Sequence, residues 1–249
     1  LLAEYTVNYK KTHSQTLLPM LDEIARMIEL DLNTIDAIAV AAGPGSFTGL
    51  RIGSATAKGL GLALDKPLVH VPTVDALAYN LYGTDRVICP LMDARRNQVY
   101  TGIYEFRNNE LSVIEPQMAV GIEVIAGKLR ALGREVVFLG DGVPVFRKAL
   151  MEELMQGMDF SFAPAHLNKQ RAGAVAALAV SYVRAGKIET AAEHRPDYLR
   201  PSQAERERAE KEAREKAEKA KAEKAERVEK EKAEEQKEQK EQKEAGLHE

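Results

Sequence analysis

The stretch that decides the fold of this chain is residues 37–64, AIAVAAGPGSFTGLRIGSATAKGLGLAL. An apolar, partly β-branched run over residues 37–42 ends at Gly43-Pro44-Gly45, and a glycine-rich apolar helix pattern begins at Ser46. A strand, a glycine turn and a helix start, in this order, point backbone N–H groups toward a bound anion. The stretch therefore predicts a strand–turn–helix unit of an α/β protein.

The glycine turn comes close to two nucleotide-binding fingerprints and matches neither. A phosphate-binding loop, GxxxxGK[ST], would need its second glycine at Thr48 or Leu50, followed by a lysine. A dinucleotide-binding GxGxxG would also need a glycine at Thr48. A tight turn in which Ser46 caps the helix explains these residues as well as a bound anion does.

Arg95 and Arg96 stand at a strand end, where α/β proteins often hold functional residues, although a solvated turn explains them equally well. The candidate anion-binding residues are Gly43, Gly45, Ser46, Thr48, Arg51, Arg95 and Arg96.

The helix after the turn carries a ridge of small residues spaced by four: Gly49, Gly53, Ala57 and Gly61. Each interior glycine costs a helix about 1 kcal/mol relative to alanine, so the pattern makes sense if another element approaches the backbone closely. The helix predicted over residues 14–28 has an apolar stripe wider than one buried face requires. Two helices with surplus apolar surface predict a protein interface; the alternative is that a later helix of the same chain covers them.

Composition excludes several classes of function. The chain has 249 residues, 45% of them hydrophobic, with a formal net charge of −3, which gives no support for nucleic-acid binding through bulk charge. The single cysteine, Cys89, excludes a disulfide framework and fits a reducing cytoplasm. No run of about 18 apolar residues predicts a membrane span. The five histidines include no i, i+4 pair, and no GxSxG elbow is present, so the sequence predicts neither a metal site nor a cofactor.

The body alternates strand-like and helix-like runs, which predicts an α/β sheet protein. Strands are predicted over residues 1–9, 36–42, 68–71, 87–92 and 135–139, with a hairpin of 98–106 and 111–119. Helices are predicted over 14–28, 47–64, from about 74, 121–132, 145–155 and 172–185. A lobe boundary is expected near residues 89–96, which divides the body into 1–92 and 93–203. Residues 204–249 contain mainly Ala, Glu, Lys, Arg and Gln without an apolar seam, and predict a solvated helix or a disordered tail.

Five blocks of sequence, in order, resemble the bacterial TsaB (YeaZ) proteins. The blocks are HSQTLLPML (13–21), AGPGSFTGLRIGSATAKGLGLAL (42–64), PTVDALA (72–78), DARRNQVY (93–100) and PDYLRPSQAE (196–205). The resemblance implies an α/β, actin-like ASKHA (ribonuclease H-like) fold of two lobes. It also implies a non-catalytic partner subunit that binds and activates a TsaD-type enzyme in forming threonylcarbamoyladenosine in tRNA, with a TsaE-type ATPase joining the complex.

The resemblance also implies where partners bind. In TsaD-type enzymes an HxxxH motif in the region of His13 binds metal, but the i+4 residue here is Leu17, so that site is not expected. The family's interface uses its first two helices, and the same surface implies a homodimer of the isolated chain. Contact of Arg51, Arg95 and Arg96 with tRNA phosphate is a further candidate, beside ordinary surface ion pairs. The predicted interface residues are His13, Leu17, Leu18, Leu21, Gly49, Leu50, Gly53, Ala57, Leu60 and Gly61.

The chain departs from the family at its start. Family members begin with a β-hairpin carrying an Asp-Thr pair, and the first strand of that hairpin is central in the sheet. This sequence begins at the second strand of the hairpin, so the first lobe is expected to lack a middle strand and to leave a strand edge unpaired. We expect the missing strand to lie upstream of Leu1.

Two other classes of function remain open alternatives. The glycine turns at 43–45 and 140–142 suit an ATP-using ASKHA enzyme, although a plain loop explains the second turn better. A peptidase-like protein is the other alternative, and the lack of a metal pair or a nucleophile elbow counts against it.

Overall fold

The computed structural model describes residues 1–9 and 13–200, together with positions 208, 211, 212, 214–216 and 218. Residues 1–200 form one compact unit. The described positions beyond residue 200 are helical, and Arg208 pairs with Glu212 there at 2.9 Å. Most of the predicted tail, residues 204–249, lies outside the described residues. The expected lobe division at residues 92 and 93 stays a prediction.

The described residues up to position 200 form two sheets. Strands β1 (Ile38–Gly43) and β2 (Leu68–Pro72) form a parallel pair. The second sheet has the order β5-β4-β3-β6-β7. In it β3 pairs antiparallel with β4 and parallel with β6, while β4 pairs with β5 and β6 pairs with β7. Its strands are β3 (Val87–Asp93), β4 (Gln98–Arg107), β5 (Glu110–Gly121), β6 (Val136–Leu139) and β7 (Phe160–Phe162).

Six α-helices flank these sheets in the described part of the chain. They are α1 (His13–Met27), α2 (Phe47–Leu64), α3 (Thr73–Tyr79), α4 (Ile122–Leu132), α5 (Val143–Ala149) and α6 (Ala172–Arg184). The predicted helix over 145–155 is α5 followed by one π-helical turn, Leu150–Leu154. No helix among the described residues is long and apolar enough to cross a membrane.

The core of the larger sheet is built on both of its faces, because the side chains of a strand alternate between them. One face packs against α4 and α5, where Cys89, Ile125 and Phe146 are buried. The other packs against α3, where Leu77, Ile88 and Tyr104 meet. Strands that are buried on both faces have nearly continuous apolar sequences. This explains why VICPLM at residues 87–92 does not alternate between polar and apolar residues.

The β1–β2 pair lies between α2 and the helices α3 and α6. Val40 and Leu68 face Ala57 of α2. The side chains of Val69 and Val71 lie on the other face of β2 from Leu68 and pack against α6 residues such as Leu178. The helix α2 spans the residues predicted for it, and its Ser46 cap is confirmed, since the Ser46 hydroxyl accepts a hydrogen bond from the Gly49 N–H at 3.4 Å.

The prediction of a strand over residues 1–9 is wrong, since no strand is assigned in this segment. An alternating pattern gives a strand only where another strand satisfies its backbone groups. Here the segment is held by a side chain instead: Glu4 accepts hydrogen bonds from Arg171 at 2.6 Å and from the N–H of Gly173 at 3.0 Å, at the start of α6.

Within the described residues, β1 has β2 as its only strand neighbour. Its other edge, at residues 38–41, faces a cavity of about 850 Å³ between α1, α2 and α6. Val69, Val175 and Ala179 contribute to the largely apolar wall. The unpaired strand edge expected from the sequence is therefore present.

Candidate functional site

The glycine turn at the end of β1 is held by contacts within the chain. The Gly43 N–H donates to the Thr73 hydroxyl at 3.1 Å, so this amide already has a buried partner. Gly43 has a φ of +128°, a value that residues with a Cβ rarely adopt. The turn therefore needs glycine at residue 43 for conformational reasons alone.

A C-terminal strap, residues 189–200, crosses this turn. Glu189 and Leu68 exchange backbone hydrogen bonds of 2.8 and 3.0 Å, and the N–H of Asp197 donates to the Ala42 carbonyl at 2.7 Å. The ring of Tyr198 packs against Phe47 with centroids 4.7 Å apart. The strap continues to Arg200, whose guanidinium donates to the Ala94 carbonyl at 2.6 Å.

The candidate anion-binding residues occupy the turn and helix start after β1 and the turn between β3 and β4. Gly43, Gly45, Ser46 and Thr48 follow β1, and the guanidinium carbon of Arg51 lies 4.0 Å from the centre of the Phe47 ring. Arg95 and Arg96 occupy the β3–β4 turn, both with positive φ. The Arg95 N–H donates to the Asp93 carboxylate at 2.8 Å. Anion binding at these residues stays a prediction.

The second glycine turn, residues 140–142, uses its amides inside the chain. The Gly140 N–H donates to the Asn168 side chain at 2.7 Å, and the Gly142 N–H donates to the Leu91 carbonyl at 2.8 Å. Asp141 lies beside Asp93 and accepts a 3.3 Å hydrogen bond from its N–H. Partial desolvation and the charge of Asp93 raise the pKa of Asp141. These contacts favour the plain-loop interpretation of the turn.

The helix α1 contributes an apolar face that the chain leaves largely uncovered. None of its residues is buried. The side chains of Leu18 and Leu21 are 55% and 40% exposed, and Leu17 is half-buried. Exposed leucines on one amphipathic helix face are typical of a protein interface.

On α2, the structure divides the predicted interface residues into two groups. Leu50, Ala57 and Gly61 are buried inside the chain, and a Cβ on Gly61 would meet Ala191 of the strap at 3.3 Å. Gly53, in contrast, has no described atom within 4 Å of the position of an added Cβ, the neighbouring backbone of α2 aside. The residues that remain accessible, named here the α1–α2 surface, are His13, Leu17, Leu18, Leu21, Gly49, Gly53 and Leu60.

The cavity beside β1 links the two helices of this surface. Leu17 and Leu21 of α1 line it together with Gly53 and Leu60 of α2. The later helix α6 forms part of the wall but does not reach Gly53. Among the described residues, α6 therefore covers this part of the two helices in part, and the interface stays a prediction beside the alternative of a later covering helix.

A cluster of metal-ligating side chains lies under the strap and was not predicted. His70 of β2 meets Glu189 and His194 of the strap, and one potential ligand atom from each lies within 4.8 Å of the others. The sequence does not predict this cluster, because Glu189 and His194 are not at i, i+4 spacing and His70 is more than a hundred residues from both. Nothing in the local pattern at His70 distinguishes it from an ordinary strand residue.

A buried carboxyl group also lies between the sheets. Asp75 of α3 accepts hydrogen bonds from the hydroxyls of Tyr104 at 2.8 Å and Tyr182 at 3.3 Å. Burial raises the pKa of Asp75, and burial together with the Asp75 charge raises the pKa of both tyrosines. The group connects α3, β4 and α6, which is a structural role.

Comparison with known proteins identifies relatives over most of the chain. The family model described as "TsaD: tRNA N6-adenosine threonylcarbamoyltransferase" matches residues 1–208. The tRNA threonylcarbamoyladenosine biosynthesis protein TsaB of Bacillus subtilis is 35% identical over 207 residues, covering 82% of this chain and 86% of the relative. TsaB of Escherichia coli is 35% identical over 136 residues, covering 53% and 58%.

Solved structures give the same result. YeaZ from Pseudomonas aeruginosa superimposes with a TM-score of 0.64 and 28% sequence identity, covering 76% of this chain and 85% of that one. The similarity, together with the mixed α/β layers described above, confirms the fold class predicted from the sequence.

Proposed function

The chain belongs to the TsaB (YeaZ) family, and we propose from this that it is a non-catalytic partner subunit that binds and activates a TsaD-type enzyme. Its process is the biosynthesis of threonylcarbamoyladenosine in tRNA. In this proposal the reacting groups are supplied by the enzyme, and this chain supplies a docking surface.

The observation that carries the proposal is the α1–α2 surface. Two adjacent helices present exposed leucines and a partly exposed glycine, Gly53, and no described residue outside the local backbone of α2 lies within 4 Å of a Cβ added there. Small residues let a second helix approach closely, and the flanking leucines supply apolar area that is buried on association. The partner that fits this apolar surface is a pair of helices of a TsaD-type enzyme.

Further parts of the proposal concern the assembly. A TsaE-type ATPase joins the pair, and in the absence of the enzyme the same α1–α2 surface pairs with a second copy of the chain. Arg51, Arg95 and Arg96 are the candidates for contact with tRNA phosphate. The complex works in the cytoplasm.

Reconstitution tests the proposal. A TsaD-type enzyme and a TsaE-type ATPase from the same organism are supplied with tRNA and a threonylcarbamoyl donor, with and without this chain. We expect modification of tRNA to rise with added chain until the enzyme is saturated, and the chain alone to give none. Equal rates with and without the chain would refute activation.

A matched pair of substitutions shows whether activation uses the proposed surface. Leu18→Glu places a charge on the α1–α2 surface and should lower activation at least tenfold. Leu62→Glu changes a leucine that is 70% exposed on another face of α2 and should leave activation unchanged. Equal loss in both variants would point to a general defect instead of a docking site.

A further inference from the structure

The histidine–glutamate cluster under the strap has a geometry that the proposed function does not use. Nδ1 of His194 lies 2.6 Å from Oε1 of Glu189, and Nδ1 of His70 lies 3.8 Å from the same oxygen. On its other side, Nε2 of His70 lies 3.0 Å from the carboxylate of Asp197. Two imidazoles therefore converge on one carboxylate.

The protons of this cluster can be assigned from its contacts. A carboxylate only accepts hydrogen bonds, so the proton of a neutral His70 is on Nε2, facing Asp197. The Nδ1 lone pair of His70 then faces Glu189 at a distance too long for a hydrogen bond. Two electron-rich atoms thus face each other without a proton between them.

His194 differs from His70, because its Nδ1 lies within hydrogen-bond distance of Glu189. Its ring is 1% exposed, and Nε2 has no hydrogen-bond partner among the described residues. Buried polar atoms are almost always partnered, so Nε2, which is not the ring nitrogen that contacts Glu189, is an exception among the described residues. A cation held between Glu189 and Nδ1 of both rings would replace the proton that His194 shares with Glu189, would give the Nδ1 lone pair of His70 a partner, and would leave the His194 proton on Nε2.

We propose that His70, Glu189 and His194 bind one divalent metal ion of the zinc class. Two imidazoles and a carboxylate are a donor set that suits Zn²⁺, with a remaining position for water. Ligands on one such ion stand about 3.3 Å apart, given metal–ligand distances of about 2.0–2.1 Å. The present distances of 2.6 and 3.8 Å fall on either side of that value, and one ligand atom from each of the three residues lies within 4.8 Å of the others.

The surroundings fit this assignment. Asp197 contacts the ring of His70 on the nitrogen that faces away from Glu189, which is the position of an outer-shell carboxylate that orients a metal-binding imidazole. Lys58 of α2 is the nearby positive charge, and its ammonium is engaged by the carbonyls of Ala192 and His194 at 3.3 and 3.1 Å.

A metal ion bound at this site would link the strap to strand β2. His70 belongs to β2, whereas the other two ligands belong to the strap that covers the glycine turn. Metal bound to the folded chain but not to the unfolded one raises the melting temperature. The proposed role is structural and does not depend on the docking of a TsaD-type enzyme.

Metal titration of the full chain tests the proposal. The protein is stripped with a chelator, then titrated with Zn²⁺ by calorimetry and with Co²⁺ by visible absorption. We expect one equivalent to bind, a Co²⁺ spectrum typical of four or five ligands, and a higher melting temperature with Zn²⁺. Absence of binding, or a Co²⁺ spectrum of fully hydrated ion, would overturn the proposal.

Variants assign the binding to these residues. His70→Asn and Glu189→Gln alter half-exposed positions, so folding of these variants is expected even if His194→Gln fails to fold. Each should remove the single tight site, and Asp197→Asn should weaken it about 10- to 100-fold. His166→Asn, at an exposed histidine outside the cluster, is the control and should bind as the parent does. Unchanged binding in both His70→Asn and Glu189→Gln would place the ion elsewhere and reject the site.

Discussion

The N–H of Asp197 donates a 2.7 Å hydrogen bond to the carbonyl of Ala42, which joins the C-terminal strap to the last residues of β1. This contact brings the Asp197 carbonyl against the Cα of Gly43, where an added Cβ would collide with it. The glycine turn, whose sequence suggests a phosphate cradle, therefore accommodates a segment of the same chain.

Replacing Gly43 should be strongly destabilising. Gly43→Ala places a methyl group against backbone atoms of Asp197 and imposes a positive φ on alanine, so we expect a loss of about 2–3 kcal/mol in the free energy of unfolding. Chemical denaturation measures the loss. Gly45→Ala is the control, because its Cβ would meet only Leu50 at 3.5 Å, an ordinary contact. Equal stability of the two variants would show that the strap does not hold the turn.

The buried carboxyl of Asp75 predicts a particular dependence of stability on pH. Burial raises the pKa of Asp75 in the folded protein above its ordinary value of 3.8. Folding therefore favours the protonated form of Asp75, and the stability that Asp75 contributes is lost as the pH rises from 3.8 through its pKa in the folded state. Asp75→Asn keeps an acceptor for Tyr104 and removes the titration. The variant should therefore gain stability relative to the parent as pH rises across this window, as measured by denaturation at several pH values.

Asp75→Ala is the matched comparison for that variant. It removes the acceptor of the buried Tyr104 hydroxyl, and we expect a loss of about 2 kcal/mol at neutral pH. A stability difference between Asp75→Asn and the parent that does not change with pH would show that Asp75 does not titrate as described.

Glu4 predicts the opposite dependence on pH. The hydrogen bond from Arg171 lowers the pKa of Glu4 and outweighs the opposing effect of burial. The stability that Glu4 contributes is therefore present above pH 4.5 and is lost as the pH falls through the pKa of Glu4 in the folded state. Glu4→Gln should cost about 1 kcal/mol at neutral pH and progressively less in acid.

Hydrogen exchange gives a local measure of the same contact. The Gly173 amide, which donates to Glu4 at 3.0 Å, should exchange faster in Glu4→Gln. Glu23→Gln, at an exposed position on α1, should leave that amide unchanged. Equal protection of Gly173 in the parent and in Glu4→Gln would exclude a stabilising role for the first residues.

Local patterns predicted most elements, and long-range contacts account for the failures. Ser46 caps α2 and Asn108-Asn109 turn the β4–β5 hairpin with positive φ, as their residue types suggest. The strand predicted over residues 1–9 failed because its pattern says nothing about a neighbouring strand. β7, with three residues, is too short to give a periodic signal.

The strap and the cluster beneath it were beyond sequence reasoning for the same reason. Residues 189–200 have no helix or strand period, and their contacts with Gly43 and His70 join positions far apart in the chain. Of the residues predicted for the interface, the structure buries Leu50, Ala57 and Gly61 within the chain and leaves Gly53 partly exposed, and the interface itself stays a prediction. Periodicity identified the small-residue ridge but not how much of it the chain itself covers.

The affinity of the chain for a TsaD-type enzyme, measured by calorimetric titration of Gly53→Leu beside Gly59→Leu, tests the central claim most directly. Both glycines have open space in front of them, and both changes raise helix propensity, so neither variant should unfold. If the α1–α2 surface is the docking site, Gly53→Leu should weaken binding about 10- to 100-fold by obstructing close approach, and Gly59→Leu should bind within about twofold of the parent. Binding of Gly53→Leu at the affinity of the parent would contradict the account.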